Sequence, residues 1–131
     1  MNLIIIDYGS GNLKSVENAF SNAITDNNLK YKIRVSSDIQ TIAKADFLVL
    51  PGVGSFPDCK KGLQNIEGLI DILSEQVLVK KKKFLGICVG MQLMFDYSLE
   101  KIRTSGFGWL SGSFNKLNMV GLDYLGRNFK I

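Results

Sequence analysis

Leu3-Ile4-Ile5-Ile6-Asp7 is a nearly unbroken run of apolar, mostly β-branched residues, and after Gly9-Ser10-Gly11-Asn12 it gives way to Leu13, Val16, Phe20 and Ile24 at helical spacing. A strand that is apolar along its whole length must be covered on both faces, as happens when helices connect parallel strands. The unit then repeats. Tyr31-Lys32-Ile33-Arg34-Val35 alternates as a second strand, Ser37-Asp38 is placed to cap a short helix through Ile42, and Asp46-Phe47-Leu48-Val49-Leu50 reads as a third strand stopped by Pro51. Leu63, Ile66, Ile70, Leu73 and Val77 predict one long helix, and Phe84 to Cys88 a fourth strand feeding a helix over Val89 to Leu99. Strands alternating with helices predict a doubly wound, mostly parallel α/β sheet in one domain over residues 1–131, with its site in the loops at the carboxyl ends of the strands. From Ser105 the pattern changes to short, glycine-punctuated segments (Gly106 to Trp109, Ser113 to Leu117, Phe129 to Ile131), which read as small antiparallel strands.

Composition narrows the function classes. With 131 residues and 46% of them apolar, the chain has enough material for a real core. No window reaches the ~18 apolar residues of a membrane span, and Met1-Asn2 offers no basic lead-in for a signal peptide. The excess of 16 Lys+Arg over 12 Asp+Glu is concentrated in Lys80-Lys81-Lys82-Lys83, which has no interleaved aromatics. It reads as a solvated turn, not a nucleic-acid surface. Two cysteines, Cys59 and Cys88, are too few for a disulfide scaffold and lack the paired spacing of a zinc site. Free thiols suit a reducing compartment, so the expectation is a soluble cytoplasmic protein with neither metal nor cofactor.

Gly86-Ile87-Cys88-Val89-Gly90 stands at a strand-to-helix junction. Glycines two residues either side let the chain turn tightly enough to push a nucleophile up out of the sheet. A helix beginning at Val89 would aim its free N–H groups and positive end at the sulfur, and the Val89 N–H would face a developing oxyanion. An isolated cysteine is more often a small buried hydrophobe, but the flanking glycines and the junction favour the nucleophile here. Pro51-Gly52-Val53-Gly54, at the end of the neighbouring strand, can supply further bare N–H groups. It lacks the Gly-Lys-Ser/Thr ending of a phosphate loop.

Other motifs take simpler readings. Gly9-Ser10-Gly11 is followed by Lys14 where a dinucleotide fingerprint needs its third glycine. Met91, Leu93, Met94 and Phe95 read as helix core, Trp109 as packing, and Cys59, between Asp58 and Lys60, as chemically idle.

Taken together, the elbow continuing into Met91-Gln92-Leu93 and the segment Pro51-Gly52-Val53-Gly54-Ser55-Phe56 resemble the class I, or triad, glutamine amidotransferases. Within that family, Asp7-Tyr8-Gly9-Ser10-Gly11-Asn12-Leu13 and Gly106-Phe107-Gly108-Trp109-Leu110 are similar to the glutaminase subunit of imidazole glycerol phosphate synthase. The resemblance runs in order from Met1 to about Leu117. It implies a flavodoxin-like glutaminase that hydrolyses L-glutamine and passes ammonia to a (β/α)8 cyclase subunit in a heterodimer, the cyclase making imidazole glycerol phosphate and AICAR in histidine biosynthesis. It further implies Cys88 as nucleophile, with Gly52, Val53 and Val89 forming the oxyanion hole. Gln92 and Gly54 would contact the substrate, and Gly11 and Asn12 the partner. In the family, a change in the proline-glycine loop links partner occupancy to activity.

One departure is large. The family's base is a histidine, oriented by a glutamate, in a later His-Pro-Glu motif, and this chain has no histidine. The pattern expected after Ile131 continues into a Pro-His-x-Gly-Trp segment, and Asn128 to Ile131 reads as the beginning of a strand, so the expectation is a shortened chain that folds less well and does not turn over glutamine alone. Three other readings keep the same motifs. They are an ammonia-supplying subunit for a surface-sugar amidotransferase, a non-catalytic module that binds the cyclase, and a redox or chaperone-like cysteine protein.

Overall fold

Asn2–Ile6 (β1) pairs in parallel with Lys32–Ser36 (β2) on one side and with Phe47–Leu50 (β3) on the other, and β3 pairs in parallel with Lys83–Gly86 (β4), giving the order β2-β1-β3-β4. This is the doubly wound parallel sheet that the alternation predicts. The computed structural model describes residues 1–116 and the strands at 120–122 and 128–130. Among the described residues no helix is long and apolar enough to cross a membrane.

Strand periodicity divides the apolar residues between two cores. Ile4, Ile6, Leu48 and Leu50 face one way and pack with Ile42, Phe56, Leu63, Leu69 and Leu73, which lie on or beside Ile39–Ala43 (α2), Phe56–Gln64 (α3) and Leu69–Ser74 (α4). Leu3, Ile5 and Val49 face the other way, toward Leu13, Val16 and Phe20 of Leu13–Asp26 (α1). The caps follow from side-chain chemistry: Asn12 accepts from the Ser15 N–H, Asp38 from the Thr41 N–H and Ser55 from the Asp58 N–H. The lysine run is the turn into β4, exposed at Lys80, Lys81 and Lys83 and with Lys81 at φ 56°.

The structure corrects four expectations. The long helix from Leu63 to Val77 is broken after α3 by Gly68, which takes a left-handed φ of 79°, and it resumes as α4 followed by a π-helical turn over Glu75–Val79. The apolar spacing was a sound guide to the buried face, since Leu63 and Leu73 are fully buried and Ile66, Ile70 and Val77 pack on the same core. Spacing cannot report a backbone break that leaves the face intact.

The helix expected over Val89 to Leu99 is a single turn, Val89–Gln92 (α5). The ladder tightens after it, Met94 N and Phe95 N donating to Met91 O and Gln92 O at 3.1 Å, and the carbonyls that a helix out to Leu99 would need accept from residues 107–110: Phe107 N to Leu93 O at 2.7 Å, Gly108 N to Phe95 O at 3.1 Å, and Trp109 N and Leu110 N to Met94 O at 2.9 and 3.0 Å. Gly106 to Leu110 is therefore not the small strand expected over Gly106 to Trp109 but a strap across the turn that follows α5.

Tyr97–Ser98 (β5) does pair antiparallel with Thr104–Ser105 (β6), but its pairing with Ser113–Phe114 (β7) is parallel, against the all-antiparallel expectation. Val120–Leu122 (β8) and Asn128–Lys130 (β9) pair antiparallel, so the strand beginning read at Asn128 is a strand. The expectations for Leu117 and Ile131 lie outside the described residues.

Candidate active site

Pairing of β3 with β4 brings two loops together. Leu50 stands opposite Gly86, and the Ile87 N–H donates to Leu50 O at 2.9 Å, so Pro51-Gly52 leaves the sheet beside Ile87-Cys88. Cys88 takes φ 55° and ψ −117° and is exposed. A non-glycine residue holds such a backbone only where the surroundings over-determine it. The two glycines are what permit it. A Cβ at Gly90 would run into the Leu50 carbonyl oxygen, and one at Gly86 would lie 2.6 Å from Met91 Cα.

The first-turn amides are not free as the sequence reading expected. The N–H groups of Gly90, Met91 and Gln92 donate to Ile87 O and, twice, Cys88 O at 3.0, 3.0 and 3.1 Å, while the Val89 N–H donates to Gly52 O at 3.3 Å. A four-residue helix whose amides are spent in this way aims no open N–H at the sulfur. The Cys88 thiol has no hydrogen-bond partner among the described residues.

The glycine loop is fastened from below. The buried Tyr8 hydroxyl donates to Pro51 O at 2.5 Å, and a Cβ on Gly52 would meet both that hydroxyl and Gly90 N at 2.8 Å. A Cβ on Gly11 would lie 2.9 Å from Pro51 Cβ, so the first and third strand-end loops touch there. Burial, reinforced by the neighbouring Cys59, pushes the Tyr8 phenol well above the ordinary tyrosine range. Val53 is held at both of its backbone groups. Its N–H donates to Ser10 Oγ at 3.1 Å, and its carbonyl accepts from Ser10 Oγ at 3.0 Å and from Cys59 Sγ at 3.2 Å. Its side chain is 56% exposed. Gly54, at φ 88°, has open space around it, and Asn12 serves as the cap of α1.

Gln92 ends α5 half-buried, and its Oε1 is buried without a hydrogen-bond partner. An acceptor in that state costs about 1–3 kcal/mol unless a donor arrives. The arrangement thus brings together Cys88, Val89, Gln92, Gly52 and Val53 on adjoining loops. Gly11 sits behind Pro51, and Asn12 opens α1.

Sequence reasoning missed three residues. Tyr8 gave no signal beyond its place after a strand. Cys59, read as idle in a polar context, is buried and bonded to the glycine loop. Lys60, beside it, is also buried. The spacing of Phe56, Cys59, Lys60 and Leu63 is that of one helix face, and all four are buried on α3, so the pattern was available. Of the set read as helix core, Leu93 is fully buried while Met91 is 40% exposed. Trp109 is packing: its ring lies edge-on to Phe84 at 5.2 Å, and its indole N–H donates to Ser74 Oγ at 3.3 Å.

A cavity of about 300 Å³ opens between the Gly9–Gly11 loop, Val53 and the start of α3. Another, of about 500 Å³, lies between β2 and α2 and holds none of the site residues. Among the described residues there is no cluster of three or more side chains able to hold a metal ion.

The chain that places an exposed cysteine at a strained strand-to-helix elbow beside a proline-glycine loop matches, over residues 4–121, the family model glutamine amidotransferase class-I. The chain belongs to the class-I glutamine amidotransferases. Its parallel sheet and helices are consistent with the fold of that family. Relatives named imidazole glycerol phosphate synthase subunit HisH are 46% identical over 117 residues in Brucella suis biovar 1, covering 89% of this chain and 54% of that one. The corresponding figures are 44% over 118 residues in Rhodospirillum rubrum, covering 90% and 55%, and 42% over 132 residues in Pelagibacter ubique, covering 98% and 62%. The chain spans about half the length of the curated relatives it matches.

Proposed function

We propose that this amidotransferase chain carries the nucleophile side of a cytoplasmic glutaminase that supplies ammonia to a (β/α)8 cyclase subunit, which makes imidazole glycerol phosphate and AICAR in histidine biosynthesis. The single observation that carries the reading is Cys88, exposed at a positive-φ elbow with Gly52 O against the N–H of the next residue. The names of the relatives support the choice of pathway.

In this reading the Cys88 thiolate attacks the carboxamide carbon of L-glutamine, forming a C–S bond and placing negative charge on the amide oxygen. Collapse of that adduct breaks the C–N bond and leaves a glutamyl thioester, with the nitrogen departing as ammonia after gaining a proton. Water then cleaves the thioester to glutamate and returns the thiol. The unpartnered Oε1 of Gln92 is suited to accept from the substrate's ammonium group, with Gly54 giving open space for the backbone of the amino-acid end.

Stabilising the oxyanion needs donors aimed at it. Gly52 O occupies the Val89 N–H, and the Val53 N–H is held by Ser10, so both groups of the Gly52–Val53 peptide are engaged elsewhere. Turning that one peptide over would withdraw the carbonyl from Val89 and swing the Val53 N–H toward Cys88. Ser10 lies in the Gly9–Asn12 loop, which the family resemblance assigns to the partner's face through Gly11 and Asn12. Docking there is the natural means of releasing the peptide. The protonation of ammonia and the activation of water call for an acid-base group, and the chain has no histidine, so steady turnover by these residues alone is not expected.

The test is labelling with a glutamine-like diazo-ketone, with the cyclase subunit present and absent, followed by peptide mapping. Label on Cys88, increased by the partner, is expected. Label on Cys59, or on neither cysteine in either condition, would remove the reading.

A further inference from the structure

Lys60 is the only charged side chain buried among the described residues, at 8% exposure. Its Nζ donates to Ser105 O at 2.6 Å and Gly106 O at 3.2 Å and lies 5.9 Å from the centre of the Phe107 ring. The salt bridges among the described residues, Lys14 to Glu17 and Lys80 to Glu75, do not include it. Filling this space with an ammonium is a poor choice for stability, because an apolar side chain of similar length would be desolvated at less cost. What the ammonium adds is direction: it binds two carbonyls of one turn and so fixes that turn against α3.

That turn leads into the strap. Immediately after it, Gly106 N donates to Asp96 O at 2.8 Å, and the amides of Phe107 to Leu110 take the carbonyls of Leu93, Met94 and Phe95. Gly106 lies so close that a Cβ there would strike Phe95 O. These are the carbonyls that a longer α5 would use for itself, as the apolar spacing out to Leu99 predicts. The strap therefore fixes the chain from Leu93 to Asp96, directly after Gln92, whose Oε1 is buried without a partner.

Resting on the glutaminase reading above, we propose that Lys60 is a positioning residue for the glutamine site: it holds the Ser105–Gly106 turn on α3 and thereby sets where Gln92 stands relative to Cys88. Adjacent residues of α3 then govern the two segments around the nucleophile, Cys59 bonding the glycine loop through Val53 O and Lys60 bonding the strap.

The experiment compares Lys60→Met and Lys60→Arg with the parent chain by amide hydrogen exchange and by labelling of Cys88 with two reagents, the glutamine-like diazo-ketone and iodoacetamide. Lys60→Met is expected to speed exchange at Phe107 to Leu110 by about tenfold or more with β1 and β3 unchanged, since a charge-assisted bond is lost. It should slow diazo-ketone labelling by about tenfold while leaving iodoacetamide within about twofold, because only the first reagent depends on Gln92. Lys60→Arg should restore both. Parental exchange in the strap of Lys60→Met would overturn the proposal, as would an equal fall with both reagents, which marks a general loss of fold. A parent chain that takes iodoacetamide but never the diazo-ketone would end the glutaminase reading and this assignment with it, and the exchange data would still show whether the tether exists.

Discussion

The N–H of Val89 donates to the carbonyl of Gly52 at 3.3 Å, across the gap between the elbow and the proline-glycine loop. One peptide unit, Gly52–Val53, thus has its carbonyl on the residue after the nucleophile and its N–H on Ser10 Oγ. The oxyanion donors of the proposed glutaminase are present, but both are occupied.

Releasing Val53 should therefore activate. Ser10→Ala removes the hydroxyl that bonds both backbone groups of Val53, and diazo-ketone labelling of Cys88 is expected to accelerate by about threefold to tenfold, the worth of one ordinary hydrogen bond. A rate equal to or below the parent's would show that Ser10 does not restrain the loop.

The two thiols should differ sharply in reach. Cys88 is exposed and Cys59 buried, so a thiol reagent is expected to modify one sulfur in the folded chain and the second only in denaturant. Peptide mapping that places the fast sulfur at Cys59 would contradict the structure.

Gly90→Ala is expected to destabilise the chain by about 3 kcal/mol or more, because the added methyl meets the carbonyl oxygen of Leu50, a fully buried residue of the central strand β3. Urea unfolding midpoints measure this. A loss below ~1 kcal/mol would mean that the elbow and β3 separate easily.

Cys88→Gly moves in the other direction. The positive φ of Cys88 is strained for any residue with a Cβ, so glycine should leave the fold as stable as the parent or up to ~2 kcal/mol more stable, while removing the label site. Marked destabilisation in the same urea experiment would show that the elbow stores no strain.

Tyr8 makes alkaline pH a probe of the loop. Its phenol is held above the ordinary value of about 10 chiefly by burial, so the folded chain keeps a proton that the unfolded chain loses. The stabilisation is whole below pH ~10 and is lost as pH rises toward the raised value, at no more than about 1.4 kcal/mol per pH unit. Lys60, with its ammonium lowered by burial, acts in the opposite sense, stability rising as pH climbs from its lowered value to the ordinary lysine range. The difference between parent and Tyr8→Phe isolates the tyrosine, and a late-titrating phenol in the tyrosinate absorbance of the parent should be missing from Tyr8→Phe. Identical titration curves above pH ~10, apart from one ordinary phenol, would refute it.

What could be read in advance and what could not separate along physical lines. The alternation of β1, β3 and β4 with helices was legible because burying both faces of a parallel sheet demands continuous apolar runs, and each such run is local in sequence. Cys88 was legible for a similar reason, since a tight turn needs its glycines at fixed offsets. The break at Gly68 left no trace, because the apolar residues on either side keep to the same buried face. Cys59 was read only as chemically idle, although its spacing from Phe56 and Leu63 already placed it inward, where it bonds the glycine loop.

From its residues alone the chain is committed to a parallel sheet with a cysteine at one of its loops, because periodicity and glycine spacing act between near neighbours. Only the folded arrangement decided that α5 ends after one turn, that Val53 is held by Ser10 and Cys59, and that Lys60 grips the strap. Those outcomes depend on which distant carbonyl lies nearest each donor. A backbone N–H carries no mark in the sequence of the partner it will find.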